Sequence, residues 1–271
     1  ITVLGSAAAE AWPALFCTCE ACREARRRGG RNLRRRTAYR IDCETLIDFG
    51  PDIHWQSHAF GIDMADIRRI LITHSHSDHL DTVELQWRRK GFSRIGEPLE
   101  VFANAHVFDR IARETGLTLD QIAIVGHTLE PGREVVTGPY TVTPLRAQHA
   151  SPDEAALNFI LHDGRVGALI GNDTGWWAEE TWQQTAGRRL DAAIIECTYL
   201  HKDAQHRQGH LGAEAAVAFR DRLIELEAIR PDARVVVNHF SHNGMTLHEE
   251  LSDWFAPHGI EVAYDGMTLE L

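Results

Sequence analysis

The stretch ILITHSHSDHLD, residues 70–81, limits what this chain can fold into more than any other segment. Three histidines and two aspartates crowd the eight positions from His74 to Asp81, directly after a β-branched run that reads as a strand ending at His74. Imidazoles and carboxylates are good ligands for Zn, Mn or Fe. On a strand-to-loop turn, His74 and His76 can face one ion while Asp78 and His79 reach a second. Solvated loop histidines are the plain alternative. That explanation suits an isolated histidine better than four donors in six positions. The placement also recurs, since His149, Asp173 and His239 each stand just past an apolar run. A layered scaffold displays its chemistry at strand ends, so the fold has to bring these distant ends to one edge.

The rest of the chain reads as strands over 1–5, 37–41, 45–50, 67–74, 100–104, 135–149, 157–164, 165–173, 191–198 and 233–240, bounded by turn-forming residues. Helical spacing is expected over 81–89, 175–189 and 246–255. A long helix is expected over 211–231, stopped by Pro231. The end, IEVAYDGMTLEL, reads as a hairpin. Strands dominate each half and helices follow them, which predicts two sheets flanked by helices in a single domain, 1–271.

Formal net charge is −11, against non-specific binding to nucleic acid. The exception lies between Arg23 and Arg40, with nine arginines and one glutamate. This is either a solvated loop or a phosphate-capturing surface. Arg34, Arg35 and Arg36 lead into a strand and are the better substrate-binding candidates, because guanidinium forks match phosphate oxygens. No run approaches the roughly 18 apolar residues of a membrane span. The N-terminus lacks a basic-then-apolar leader, although a chain starting at Ile1 is compatible with a trimmed one. A cytoplasmic protein without a membrane partner is expected, with a homodimer left open. Of five cysteines, Cys17, Cys19 and Cys22 form a C-x-C-x-x-C cluster. Three thiolates so close can take three corners of a tetrahedral zinc. The odd, clustered count fits a reducing compartment better than disulfides. Cys43 and Cys197 lie in strand-like runs and read as core residues.

THSHSDHLD resembles the T-H-x-H-x-D-H signature of the metallo-β-lactamase fold superfamily. QHA (148–150), GNDTG (171–175) and NHFSH (238–242) are similar to its remaining ligand motifs, in order. LIDFGPD (46–52) looks like the strand before the signature, where Asp48 would support the ligands. The resemblance implies an α/β fold, the four-layer αβ/βα sandwich, with a binuclear site. One ion would take His74, His76 and His149, the other Asp78, His79 and His239, with Asp173 bridging. The cysteine cluster narrows the likeness to PhnP-type phosphodiesterases, in which a histidine three positions beyond the last catalytic ligand completes a structural zinc site. That implies Cys17, Cys19, Cys22 and His242. QGHLGAEAAVAF (208–219) resembles the G-H-x-x-A segment which that branch shares with tRNase Z. It implies that His210, just before a helix, protonates the leaving oxygen or contacts phosphate.

The expected activity is hydrolysis of small cyclic phosphodiesters, such as phosphoribosyl cyclic phosphate or cyclic nucleotides. Two divalent ions, Mn or Zn, held by Asp78, Asp173 and the histidines would generate a hydroxide, and His210 would supply the proton. A tRNase Z-like enzyme is the rival, but the chain shows no long Gly/Pro-rich insertion that could serve as an RNA-grasping arm. A glyoxalase-type thioester hydrolase would not be expected to carry the His210 segment or the cysteine cluster. A non-catalytic binding or carrier protein on the same fold, as suggested for the B protein of the pyrroloquinoline quinone pathway, is the alternative of a different class.

Overall fold

Period-two alternation of apolar residues builds the first sheet. In β3 (Thr45–Ile47) and β4 (Arg69–Leu71), Ile47 and Leu71 face one side while Leu46 and Ile70 face the other. The computed structural model describes all residues, 1–271. β1 (Thr2–Gly5), β2 (Ala38–Arg40), β3, β4, β5 (Leu99–Ala103) and β6 (Ile124–Thr128) lie side by side in sequence order. The first three are antiparallel and β3 to β6 are parallel. The second half forms a seven-stranded sheet, also in sequence order: β7 (Val135–Thr137), β8 (Tyr140–Arg146), β9 (Leu157–His162), β10 (Gly167–Gly171), β11 (Leu190–Glu196), β12 (Ile229–Asn238) and β13 (Ile260–Val262). Here β7 to β10 are antiparallel and β10 to β13 parallel.

The main core joins the inner faces of the two sheets, with Tyr39, Ile47, Leu71 and Phe102 meeting Phe159, Ile170, Ile194 and Val236. It continues beneath α5 (Glu179–Thr185), α6 (Ala213–Glu225) and α7 (His248–Phe255) through Trp182, Phe219 and Phe255. A second core seats α2 (Ile53–Ala59), α3 (Thr82–Gln86) and α4 (Ala105–Thr115) on the outer face of the first sheet through Ile53, Leu85, Val107 and Ile111. This is the expected four-layer αβ/βα sandwich. No helix is long and apolar enough to cross a membrane.

Parallel pairing has a functional consequence, because the C-terminal ends of parallel strands share an edge. Asp48 after β3, His74 after β4, Asp173 after β10, Glu196 at the end of β11 and His239 after β12 therefore emerge together. His149 joins them because β8 and β10 are each antiparallel to β9 and so run the same way.

Several local expectations are corrected. The run 135–149 is a hairpin, turned at Gly138 with φ of 54°. The long helix ends at Glu225, and Pro231 lies inside β12, because Glu227 turns left-handed at φ 51°. The final segment forms no hairpin; β13 runs parallel to β12, and Thr268 bridges back to Thr2. Cys43 is exposed between β2 and β3 rather than in the core, whereas Cys197 is buried. Part of the arginine run is a helix, α1 (Glu20–Arg28). Its N-terminus is capped by Cys19 Sγ accepting from the Cys22 N–H, and it buries Ala21, Cys22 and Ala25.

One side chain braces the strand ends from the opposite sheet. Tyr39 of β2 is fully buried, and its hydroxyl accepts hydrogen bonds from Nδ2 of both Asn172 and Asn238, the residues just before Asp173 and His239. Tyr39→Phe keeps the ring but leaves two buried amides without this partner, at about 1–3 kcal/mol per unsatisfied group. The midpoint of urea unfolding should fall while its slope stays constant. An unchanged midpoint would show that the hydroxyl does not brace the sheets.

Candidate metal centre

The loops that carry the strand-end residues are held in costly backbone conformations. Asp48, Asp173 and His239 have left-handed φ of 64°, 47° and 63°. Such non-glycine residues persist only where their surroundings over-determine them. Around Asp48 those surroundings are plain. Its carboxylate accepts from Thr73 N–H at 2.9 Å and Thr73 Oγ1 at 3.0 Å, and pairs with His79 Nδ1 at 2.6 Å. His239 Nδ1 lies 2.9 Å from Thr198 Oγ1. Gly50 is required here, since a Cβ would overlap the Asp78 carbonyl oxygen where the two loops cross.

Within this frame the seven side chains expected as catalytic-site ligands come together. His74, His76 and His149 form one group, with His149 Nε2 3.1 Å from His76 Nδ1. Asp78, His79 and His239 form another, with His79 Nε2 3.1 Å and His239 Nε2 3.8 Å from Asp78 Oδ2. Asp173 stands between them. Its Oδ1 is 3.6 Å from His149 Nε2, while Oδ2 is 2.8 Å from His79 Nε2 and 3.0 Å from His239 Nε2. Despite these short separations, Nε2 of His74, His79 and His239 and Oδ2 of Asp173 are buried without a hydrogen-bond partner of acceptable geometry. These four atoms converge on one space. Such a donor set fits divalent cations, which would satisfy all four orphaned atoms.

The electrostatics agree. Burial, reinforced by the neighbouring histidines, pushes the His74 pKa well below the ordinary histidine value, so it is neutral as a ligand must be. Burial works against an ionised Asp173, but His239, His79 and His149 outweigh it and hold the carboxyl well below its usual range. Burial also opposes charge on His79, yet Asp78, Asp173 and Asp48 raise it well above the ordinary value.

His210 borders the same centre. Its Nδ1 lies 2.6 Å from Oε1 of Glu196, a fully buried carboxylate that sequence reasoning missed. Glu196 also accepts from the backbone N–H groups of Thr198 at 2.8 Å, Leu211 at 2.9 Å and Thr174 at 3.3 Å. Burial lowers the His210 pKa, but the charge and hydrogen bond of Glu196 more than reverse this, and it stands raised at about 9. His210 lines a cleft of about 330 Å³ together with Glu10, His76, Asp173, Lys202 and Asn243.

Cys17, Cys19, Cys22 and His242 also meet, with His242 Nδ1 3.7 Å from both Cys17 Sγ and Cys19 Sγ. On the other side of that ring, Nε2 is 3.6 Å from Glu10 Oε1, and Glu10 itself accepts from Ser241 Oγ and Asn243 Nδ2. Glu10 was also missed from sequence; it precedes the cysteines without any motif of its own.

The three arginines expected to bind substrate do not line the cleft. Arg34 is buried, donating to Ser6 Oγ and the Ala263 carbonyl and lying over the Phe240 ring. Arg35 pairs with Asp265 at 3.3 Å and covers the Trp55 ring. Arg36 pairs with Asp52 at 3.1 Å and donates to the Ala9 carbonyl. Each guanidinium has an oxygen partner within the chain.

Residues 44–240 match the family described as the beta-lactamase superfamily domain. Zinc-bound PqqB from Methylobacterium extorquens superposes with a TM-score of 0.79 at 21% identity, over 100% of this chain and 99% of that one. A diphosphatase of the PhnP family gives 0.76 at 21% identity over 100% and 96%. The short form of human tRNase Z gives 0.65 at 19% identity over 99% and 98%. At these identities the likeness is one of fold. No curated protein matches by sequence.

Two predictions follow from this geometry. The raised pKa of His79 makes protons compete with cations: below it, binding displaces a proton. Apparent affinity for zinc or manganese should therefore fall about tenfold for each pH unit per proton released. Competition titrations between pH 6 and 8 read this directly, and a pH-independent affinity would contradict it. The two clusters should also be separable. Cys19→Ser retains a side chain able to cap α1, so a loss of zinc content and thermal stability would report the cysteine site itself. Asp173→Ala should abolish turnover while that zinc remains. Full zinc retention in Cys19→Ser would remove the assignment.

Proposed function

The chain belongs to the β-lactamase superfamily, and we propose that it hydrolyses small phosphodiesters, cyclic phosphates of ribose or nucleotides first among them. Metal-dependent hydrolysis is the activity to which the family and the clustered His/Asp donors point. The narrower reading rests on one observation, the Glu196–His210 pair beside the metal ligands. Bound at His74, His76 and His149 and at Asp78, His79 and His239, with Asp173 between, a pair of Mn or Zn ions would supply Lewis acidity and a water of lowered pKa. We assign a third, structural zinc to Cys17, Cys19, Cys22 and His242.

The protein's own part is positioning and proton supply. A ribose alkoxide is a poor leaving group and needs a proton as the P–O bond breaks. Glu196 accepts a hydrogen bond at His210 Nδ1, which leaves Nε2 of the same ring, unbonded to protein, to deliver that proton in the cleft. The raised His210 pKa keeps the acid loaded at neutral pH. When cations offset Asp78 and Asp173, Glu196, which lies outside the ligand set, stays hydrogen-bonded to His210 Nδ1. A small phosphodiester is the proposed partner, and the cytoplasm the proposed location.

A turnover screen of the metal-loaded protein tests the reading with bis(p-nitrophenyl) phosphate, cyclic nucleotides, ribosyl cyclic phosphate, pre-tRNA and a glutathione thioester. Preference for either of the last two would overturn it. General acid catalysis typically contributes about 10²–10⁴-fold. His210→Ala should cost that much on a cyclic ribose phosphate and far less on a nitrophenyl ester, whose leaving group is already a stable anion. Equal losses would assign His210 to phosphate binding. A general acid fails as pH rises through its pKa. Glu196→Gln, which lowers that pKa, should therefore shift the alkaline fall of kcat/KM for the cyclic substrate to lower pH.

A further inference from the structure

The cleft does not end at the metal ligands. A second opening of about 560 Å³ lies beside it, walled by the loop after β8 and by Gly209. The two compartments share His76, His149 and His210 and no other residue. These three rings are therefore the common wall of the two spaces, each within the range of about 300–1,000 Å³ found for small-ligand sites.

Each space holds a single lysine or arginine. In the first it is Lys202, and in the second it is Arg146. Both are exposed, and neither has a carboxylate within salt-bridge distance, unlike Arg34, Arg35 and Arg36. The acidic residues outside the metal-ligand set that line these spaces are held by neutral donors and pair with neither cation. Glu10 is held by Ser241 and Asn243, and Glu154 by Ser75 and Asn104. Free cations flanking a phosphodiester-cleaving centre suit further negative charge on both sides of the bond that breaks.

Resting on the phosphodiesterase reading above, we propose that the two compartments form one groove for short linear phosphodiesters carrying an additional phosphate on each side of the scissile one, with Lys202 and Arg146 as specificity residues. A cyclic phosphate keeps attacked and leaving oxygens within one small molecule and fills only one side. A linear diester sends a limb into each. The reaction balances as ordinary hydrolysis: the water oxygen bonds to phosphorus, the P–O bond to the leaving oxygen breaks, and that oxygen takes the proton held by His210. A phosphomonoester and an alcohol result.

The test compares the thymidine dinucleotide with both terminal phosphates, pTpTp, with TpT and with bis(p-nitrophenyl) phosphate. Wild type should prefer pTpTp over TpT in kcat/KM. Lys202→Gln and Arg146→Gln should each reduce the ratio of kcat/KM for pTpTp to that for bis(p-nitrophenyl) phosphate by about tenfold, the size of one charged hydrogen bond at a partly exposed site. Arg146→Lys should restore much of the loss. A calorimetric Kd for a phosphorothioate analogue of pTpTp should weaken in parallel, and this readout holds even where no diester turns over. Absence of a pTpTp preference in wild type, or variants that leave both the ratio and the Kd in place, would overturn the groove alone. Failure of wild type to hydrolyse any phosphodiester would instead overturn the phosphodiesterase reading.

Discussion

Four buried atoms that the protein leaves without partners, Nε2 of His74, His79 and His239 and Oδ2 of Asp173, set the terms for the rest of the structure. Leaving a buried donor or acceptor unsatisfied costs about 1–3 kcal/mol, so a chain that keeps four together needs rigid support behind each. That support is visible. Asp48 and Thr73 hold the rings of His79 and His74, and Thr198 holds His239. Glu154 accepts from both N–H and Oγ of Ser75 at 2.7 Å and from Asn104 at 3.0 Å, which ties the loop between His74 and His76 to the loop that follows His149. Tyr39 does the same from the other sheet. Each ligand nitrogen is aimed by its opposite ring nitrogen or by the adjoining backbone, as metal-binding histidines require.

The buried carboxylates divide into two kinds. Asp78 and Asp173 owe their ionised state to nearby histidines, so their charge is tied to whatever the histidines bind. Glu196 lies outside the ligand set and accepts hydrogen bonds from three backbone N–H groups. The distinction matters for chemistry. A group that must carry a proton through the reaction cannot rely on charges that a cation offsets. His210 stands against the carboxylate outside the ligand set, while its distance to Asp173 Oδ1 is the longer one, 3.8 Å against 2.6 Å.

What could be read from sequence follows from how local each interaction is. The seven side chains of the His/Asp cluster were legible because each sits in a short motif at the end of an apolar run, and parallel pairing then forces those ends together. Glu196 was not legible, because the last residue of a buried strand shows no periodicity and its partner His210 is fourteen residues on. Arg34 to Arg36 looked free because Asp265, which holds Arg35, is 230 residues away in sequence. Helix α1 was hidden among arginines, since its buried stripe is only Ala21, Cys22 and Ala25. Pro231 was read as a helix stop, although backbone geometry at Glu227 had already ended the helix.

The cysteine cluster belongs to the same mechanical problem. His242 lies three residues beyond His239, and between them Phe240 donates its N–H to the Ser6 carbonyl and accepts from Ala8 N–H. The loop after β1 is thereby stitched to the strand end that delivers His239 to the His/Asp cluster. The first part of that loop is anchored in the core by Ala7, Trp12 and Ala14, whereas Leu15 and Phe16, next to the cysteines, are exposed. An ion on Cys17, Cys19, Cys22 and His242 would close it against residues more than 200 positions away. Glu10 then carries the constraint inward. One face of its carboxylate approaches His242 Nε2, and the same residue forms part of the cleft wall. Loosening the cysteine site would release the wall facing the substrate before it disturbed the ligands themselves, because those are held independently by Asp48, Thr198 and Glu154.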